Sequence, residues 1–434
     1  MMIYSRKKVT CYDLLLLISI KQYYKKYNKS RGYDMSRHFM RILALGLSLT
    51  VMLSSAPAMV MADEEDGAPV TTLPVAAARE KIDAVLRREA IEDDSILMEN
   101  QFGRDGRQVL SADVSSLEYT VEIPSAGKYR LWFAYYSLSN GFTNIERRVS
   151  VDGGESVLLY LSKHWVNKDE EIQIDKSGNE LRPEQIESRE WIDAEAKIDG
   201  TAMPALFELT AGTHTLDIQG VREDMLISRV YFVEERDLPA YNAYRCMYEN
   251  GIEADGRLID KVQGEDALRK SDPMLYPQYD RSSPLTEPVS DKTIRMNTIG
   301  GTNWKTVGRW IEWPVTVEQN GYYVIALRAR QNLRSGAVSS RRLTIDGEVP
   351  FREAENLSFS YSSDWQTAYL GSEDGPYLFY LEEGTSTLRL EAVIGDLLTP
   401  VETVQECSLE LNRIYREILM VVGTSADTLS RKDR

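Results

Sequence analysis

The sequence predicts a mainly β protein built as two tandem β-sandwiches with short flanking helices, and three observations carry that expectation. The first is an internal repeat. EYTVEIPSAGKYRLWFAYYS…ERRVSVDGG around Glu118 aligns without a gap, at an offset of 194 residues, with EWPVTVEQNGYYVIALRARQ…SRRLTIDGE around Glu312. A second block, Leu206 to Leu216, meets Leu378 to Leu388 at an offset of 172, so the first copy carries 22 extra residues between its blocks. A period of this length marks a duplicated domain rather than a solenoid. The second observation is alternation: Tyr119, Val121 and Ile123, then Tyr129, Leu131, Phe133 and Tyr135, interleave with polar neighbours, as antiparallel strands with one wet face require. The third is punctuation by turn residues (Pro124 to Gly127, Asp152-Gly153, Ala211-Gly212) with no long helical pattern between, which favours sandwiches over α/β layering.

Taken from the N-terminus, residues 35–62 read as a secretory signal peptide. Met35 opens the basic stretch SRHFMR, Ile42 to Leu53 form an apolar run too short to span a bilayer, and Val60 and Ala62 stand at the −3 and −1 positions of a cleavage site. The preceding residues 1–34 suit neither a signal nor a mature fold, and are expected to be a mis-annotated extension upstream of a start at Met35. Within AAAREKIDAVLRREAIE, Ile82, Val85 and Leu86 fall at helical spacing, which predicts a short helix over 76–92.

The first sandwich is expected over 75–238. Its extra residues, around KHWVNKDEEIQIDKSGNELRPEQIESREW, read as a long surface loop or hairpin, either laid over a binding face or a tolerated insertion. A Pro- and Tyr-bearing junction leads to the second sandwich, 245–400. Beyond it Val401, Val404, Cys407, Leu411, Ile414, Ile418 and Val421 recur at steps of 3 or 4, predicting a C-terminal helix over 401–423 whose apolar stripe calls for a partner surface; 424–434 read as a tail.

Charge and cysteine content narrow the function. Residues 1–62 hold 10 of the 51 basic and 2 of the 67 acidic side chains, so the remainder carries a net charge of −24 and should repel nucleic acid. Beyond the leader only Cys246 and Cys407 remain; they could pair, but do not make a disulfide framework. No phosphate loop, zinc-type cluster or G-x-S-x-G elbow is present, and His214, inside a strand turn, reads as structural beside His164. No catalytic residues are therefore assigned.

Aromatic residues at loops and strand edges stand out instead. Alternation sends Trp310 and Trp313 of RWIEW to opposite faces; Trp313 aligns with Tyr119 and fits the core, which leaves Trp304 and Trp310 to be exposed beside a Gly-rich loop. With Tyr361 and Trp365 of YSSDWQ, and with Trp191 aligned to Trp365 in the first copy, they form the candidate carbohydrate-binding set, since an indole offers a flat apolar plate to a sugar ring. Of the paired arginines Arg147-Arg148 and Arg341-Arg342, one in each copy should point inward to an acidic partner.

The layout GRWIEWPVTVEQNGYYVIALRAR…LTIDGE…SDWQ…FYLEEGTSTLRLEA resembles the family 6 and family 35 carbohydrate-binding modules, β-sandwiches of jelly-roll, galactose-binding-like topology. More specifically, YDRSSP, NTIGGTNW, SRRLTIDGEVPF, PYLFYL and ELNRIYREI are similar to the N-terminal half of large bacterial extracellular solute-binding proteins of sugar importers. That resemblance covers residues 75 to 425. It implies a secreted or cell-surface, non-catalytic protein that binds a polysaccharide or oligosaccharide. It also implies two further partners, a solute-binding domain missing from this stretch and an ABC permease. It allows a structural calcium ion near the first strand of each copy, where Gln263-Gly264-Glu265 and Met98-Glu99-Asn100 offer one carboxylate each, Glu265 being the candidate ligand. The alternatives are a structural or docking array of sandwiches without sugar binding, and a jelly-roll glycan-active enzyme.

Overall fold

A computed structural model describes residues 2–5, 80–88, 97–109, 116–169, 171–248, 252–253 and 258–423. The expected signal peptide at 35–62, most of the expected extension and the tail lie outside the described residues. Residues 1–6 and 78–434 belong to one compact unit.

Both copies are sandwiches of mainly antiparallel strands, as the alternation requires; Ile252–Glu253 alone among the described pairs runs parallel, against Gly321–Ala329. In the first, Ile192–Glu195, Gly127–Ser137 and Met225–Glu234 form one layer, and Ser116–Ile123, Gly212–Arg222, Ile145–Val151, Val157–Leu161 and Lys197–Ile198 form the other. Inward residues of the alternating strands, among them Tyr129, Leu131, Phe133, Val149, Leu216, Ile218 and Phe232, make its core. Each such buried side chain is worth about 1.5–3 kcal/mol over an exposed one.

The segment expected to be a helix at 76–92 is instead the strand Lys81–Arg88. It pairs with Met225–Glu234 on one side and Ser116–Ile123 on the other, stitching the two layers together. Ile82, Ala84 and Leu86 pack on the core while Val85 is exposed, so a period of two competes with the helical spacing and wins because two strand edges wait to be paired.

In the second sandwich one layer runs Arg269–Lys270, Trp310–Val317, Gly384–Val393, Ser339–Ile345, Leu357–Phe359. The other is centred on Gly321–Ala329, flanked by Ile252–Glu253, Gln366–Tyr369 and Phe379–Leu381, and by Met2–Ser5, which lies between it and Leu258–Lys261. Met2–Ser5, expected to lie outside the fold, thus supplies a strand.

The repeat recurs in bonding detail. Tyr129 donates its hydroxyl proton to the carbonyl of Ser125 at 2.8 Å, and Tyr323 does the same to Gln319 at 2.6 Å, each bracing the turn before its strand. At the hairpin tips Asp152 and Asp346 both adopt φ 51°, followed by glycines with positive φ, and their carboxylates accept the backbone N–H of Thr215 and Thr387. Two consecutive left-handed residues explain the Asp-Gly pair in each copy.

The extra residues of the first copy join the copies. Trp165–Asn167 and Gln185–Glu187 form a hairpin, and Trp165 pairs with Lys270, so a sheet of the second sandwich continues into the first copy's insertion. Fully buried Lys270 donates to Asn167 Oδ1 (2.9 Å) and Gln185 Oε1 (2.6 Å). Asn179 and Glu180 accept the backbone N–H groups of Ile294 and Met296. Gly308, at φ +82°, permits the approach: a Cβ there would lie 2.2 Å from the Tyr160 hydroxyl.

The junction contains the helix Tyr241–Met247, whose Tyr241 and Tyr244 hydroxyls accept the N–H groups of Leu378 and Tyr380. The C-terminal helix runs Leu398–Val422. Cys246 is in a disulfide while Cys407 is a free, exposed thiol, so the two do not pair with each other.

Candidate functional site

The inward arginines come first, because they show how each copy is closed. Arg147 is buried and gives its N–H groups to the carbonyls of Glu146, Arg222 and Glu223. Its counterpart Arg341 donates to the carbonyls of Ser340 and Trp304 and lies over the Trp304 ring, 4.5 Å from its centroid. These hydrogen bonds go to main-chain carbonyls at strand ends rather than to the expected carboxylates. Burial lowers both guanidinium pKa values to about 10.

The outward arginines differ. Arg148 is exposed, whereas Arg342 is buried against Glu391 at 2.9 Å, and Glu391 also accepts from Lys197 of the first sandwich. Burial alone would raise the Glu391 carboxyl; Arg342 and Lys197 overcome it and hold it down at about 2. One strand away, Glu312 is 3% exposed and bound by Arg269 (2.8 Å) and Arg389 (2.8 Å). Trp310, expected to be exposed, is only 2% so. Arg389 lies 3.9 Å from its ring centroid and His164 of the first sandwich meets it edge-on at 5.3 Å. Trp310 lies outside the core that holds Ile311 and Trp313, as alternation requires, and the face it points to is covered by the other copy.

Between that covered face and the first sandwich lies a cleft of about 450 Å³. Trp191 and Trp310, two of the five aromatic residues singled out by the sequence, line it together with Trp132. The Trp191 indole donates to the carbonyl of Phe102 at 3.0 Å, which fixes its plane. Four buried polar atoms on the lining side chains meet no hydrogen-bond partner: Trp132 Nε1, the Tyr160 hydroxyl, Arg342 Nε and Thr344 Oγ1. The charges lining the cleft are largely closed on one another, Arg130 on Glu195 (3.0 Å) and Glu235, Lys197 and Arg342 on Glu391, Arg269 and Arg389 on Glu312. Sequence reasoning did not single out Trp132, Tyr160, Thr344 or the Lys197 contact.

The remaining candidates sit elsewhere. Trp304, expected to be exposed, is half-buried: it packs on Trp313, donates to the Arg309 carbonyl at 2.9 Å and has one face under Arg341. Tyr361, 40% exposed, and Trp365 lie at a loop end of the second sandwich, where Arg330 covers the Trp365 ring at 4.9 Å and binds Asp280. A second hollow of about 310 Å³ adjoins Asp280.

Glu265 is 5% exposed, its Oε2 has no hydrogen-bond partner, and burial pushes its carboxyl up to about 7. The nearby Glu180 already spends its oxygens on Arg295 and the Met296 N–H, and among the described residues no three acidic, His or Cys side chains converge. This donor set does not fit a calcium ion, which needs six or more oxygens.

No protein-family model and no curated protein matches this chain. Solved structures are similar to part of the chain. The family 35 carbohydrate-binding module of Cellvibrio japonicus Abf62 is 14% identical over 37% of this chain and 95% of that one, with a TM-score of 0.24. A family 6 module of Cellvibrio mixtus lichenase 5A, solved with cellotriose, is 13% identical over 36% and 100%, with a TM-score of 0.23. The family 35 module Xyl-CBM35, in complex with a disaccharide containing glucuronic acid, is 12% identical over 37% and 91%, with a TM-score of 0.20. The class defined by the chain's own sheets is a mainly β, tandem β-sandwich protein.

Proposed function

We propose that the chain is a secreted, non-catalytic carbohydrate-binding protein whose ligand, a neutral glycan rich in hydroxyls, sits in the cleft between the sandwiches. The observation that carries this reading is the cleft itself, where the indoles of Trp132 and Trp191 stand beside polar side chains of both sandwiches such as Asp193, Thr344 and Thr387. A concave site that pairs aromatic surface with a few polar groups suits a ligand that presents hydroxyls around an apolar ring. The half-buried indoles of Trp132 and Trp191 offer the apolar surface that a sugar's C–H face needs. The closed ion pairs argue for a neutral ligand, because an anionic sugar would have to break one of them to find a cation.

The finer reading, service to a sugar importer through a solute-binding domain and an ABC permease, rests on the sequence resemblance alone. So does secretion.

Calorimetry against a panel of neutral oligosaccharides tests the cleft. Thr344→Val, which removes only a hydroxyl, is expected to weaken binding about tenfold, and Trp191→Ala about tenfold or more, while Tyr361→Ala leaves it unchanged. If Tyr361→Ala or Trp365→Ala abolishes binding and the cleft variants do not, the ligand belongs at the loop end. Absence of binding to any glycan would leave the docking-array reading, and hydrolysis of a polysaccharide would overturn the non-catalytic one.

A further inference from the structure

The two copies end differently, and the difference leaves a place to fill in the second sandwich. In the first copy the last strand, Met225–Glu234, lies between Gly127–Ser137 and Lys81–Arg88 and pairs with residues 129–137 of the former. In the second copy Gly384–Val393 is followed by the helix Leu398–Val422 instead, and the corresponding slot, between Gly321–Ala329 and Leu258–Lys261, holds Met2–Ser5. That strand fills it only in part. It pairs with residues 323–326, and Leu327 just beyond is half-buried where the aligned Phe133 is 1% exposed. An open strand edge is a template for a segment that can complete its ladder.

Such a segment lies within the helix. Leu409-x-Leu411-Asn412-Arg413-Ile414-Tyr415 aligns without a gap, at an offset of 184 residues, with Met225-x-Ile227-Ser228-Arg229-Val230-Tyr231 of the first copy's last strand. The strand beside the slot repeats as well, since Ile82-Asp83-x-Val85 recurs at an offset of 177 as Ile259-Asp260-x-Val262. In the first copy these two repeats meet. Arg229 binds both carboxylate oxygens of Asp83 and lies over Tyr231, while Ile227 and Val230 enter the core. In the second copy their counterparts stand apart: Arg413 pairs with Glu410 and Glu417 on an exposed helix face, and Asp260 accepts the Thr316 N–H but has no basic partner among the described residues. Leu411 and Ile414 are 66% and 41% exposed.

We propose that the slot is the place of residues 409–416, which leave the helix and become the last strand of the second sandwich when Met2–Ser5 is displaced. In the register of the first copy, Ile414 stands opposite Leu327 and Tyr415 opposite Ala326, with Leu411 and Ile414 turned to the core and Arg413 beside Asp260. The strand buries apolar side chains that the helix leaves in water. Length is no obstacle: the first copy makes the same crossing with Glu223 and Asp224 alone, whereas the second has residues 394–408. The trigger, loss of residues 1–62 on export, rests on the proposed secretion; the exchange itself does not.

In the full chain, Ile3→Pro with Tyr4→Pro takes two N–H donors from a strand paired on both sides, and should expel it. With Cys407→Ser added, Tyr415→Cys and Ala326→Cys should then close a disulfide under copper–phenanthroline oxidation, and the helical circular dichroism should fall. The chain that keeps Ile3 and Tyr4 should form no such disulfide. Ile3→Asp, which removes only an apolar contact, should give the same product in lower yield. Arg413→Asp should lower the yield about tenfold, and Asp260→Arg should restore it, a rescue that general loosening of the fold would not produce. An unchanged helical signal without the disulfide would overturn the proposal, as would unfolding of the second sandwich once Met2–Ser5 is expelled. So would equal yields with and without the prolines, or a yield that Arg413→Asp leaves untouched. The mass of the exported chain reads the trigger separately: a product that retains residues 1–62 would overturn the trigger, while the disulfide decides the exchange.

Discussion

The outer face of the same sheet meets solvent in the first sandwich and protein in the second. On the first copy it carries Ser116, Glu118, Arg148 and Gln219, with Arg148 exposed and reaching Gln219 at 3.3 Å and Glu118 paired loosely with Arg87 at 3.4 Å. At the aligned positions the second copy has Trp310, Glu312, Arg342 and Glu391, all buried. The order of the three strands that carry this face, the hairpin tips and the tyrosine braces are shared, so nothing within that face's own sheet accounts for the difference. It arises because the first copy's insertion and its Lys197 edge are laid on the second. Once water is excluded, a charge on that face is stable only with an opposite charge beside it, and Gln219 becoming Glu391 supplies one for both Arg342 and Lys197. The cleft with its unmet polar atoms lies along the same contact.

Removing that shared carboxylate should separate the copies most sharply. Glu391→Gln leaves Lys197 and Arg342 buried without a counter-charge, and is expected to cost about 3–5 kcal/mol in chemical denaturation. Gln219→Ala on the first copy should change stability by no more than about 0.5 kcal/mol. Equal effects would show that the second face is not covered in solution.

Lys270→Met is the next largest. It takes the donor from Asn167 and Gln185, and should cost about 1–3 kcal/mol near neutral pH. Burial lowers the Lys270 ammonium pKa from 10.5 to about 8, so between about pH 8 and 10.5 the unfolded chain holds a proton that the folded one has released. Wild-type stability should therefore rise with pH across that window, and the Met variant should lack the rise.

The two histidines give the smallest and most diagnostic effect. On the covered face, burial lowers the pKa of His164 below 6.5, its bond to Glu190 opposing the shift. The stability tied to its neutral form is present above pH 6.5 and is lost as pH falls through its folded pKa. On the first copy's own hairpin, the Asp152 carboxylate, then the Thr210 carbonyl, raises His214 above 6.5, so its contribution is full below pH 6.5 and fades as pH rises through the raised value. Unfolding curves of His164→Gln and His214→Gln between pH 5 and about 8 should diverge from wild type at opposite ends. Parallel curves would mean the two sites share one environment.

Much of the fold was legible in the residues. Alternation over Tyr119 to Ile123 and the Asp-Gly pairs placed strands and tips, because both depend on neighbours along the chain. The strand Lys81–Arg88 was misread because its apolar residues satisfy both periods, and only the two strand edges it joins decide between them. The site was half legible. Trp310 and Trp191 were singled out, yet Trp132, Tyr160 and Thr344 look like ordinary strand residues until a second sandwich stands opposite them. One signal was available in the alignment itself: where the first copy has Ser116, Asp217 and Gln219, the second has Trp310, Arg389 and Glu391, an outward-facing set unsuited to an open surface.

The sequence by itself determined that one sandwich occurs twice, where its hairpins turn, and that its C-terminal helix carries an apolar stripe, since each of these is written in local periodicity. Only the tertiary structure decided which face of which copy is covered, which charges are buried, and where a cleft opens. Those depend on residues some 190 positions apart, such as Lys197 and Glu391, being brought together in space, and no local pattern encodes that meeting.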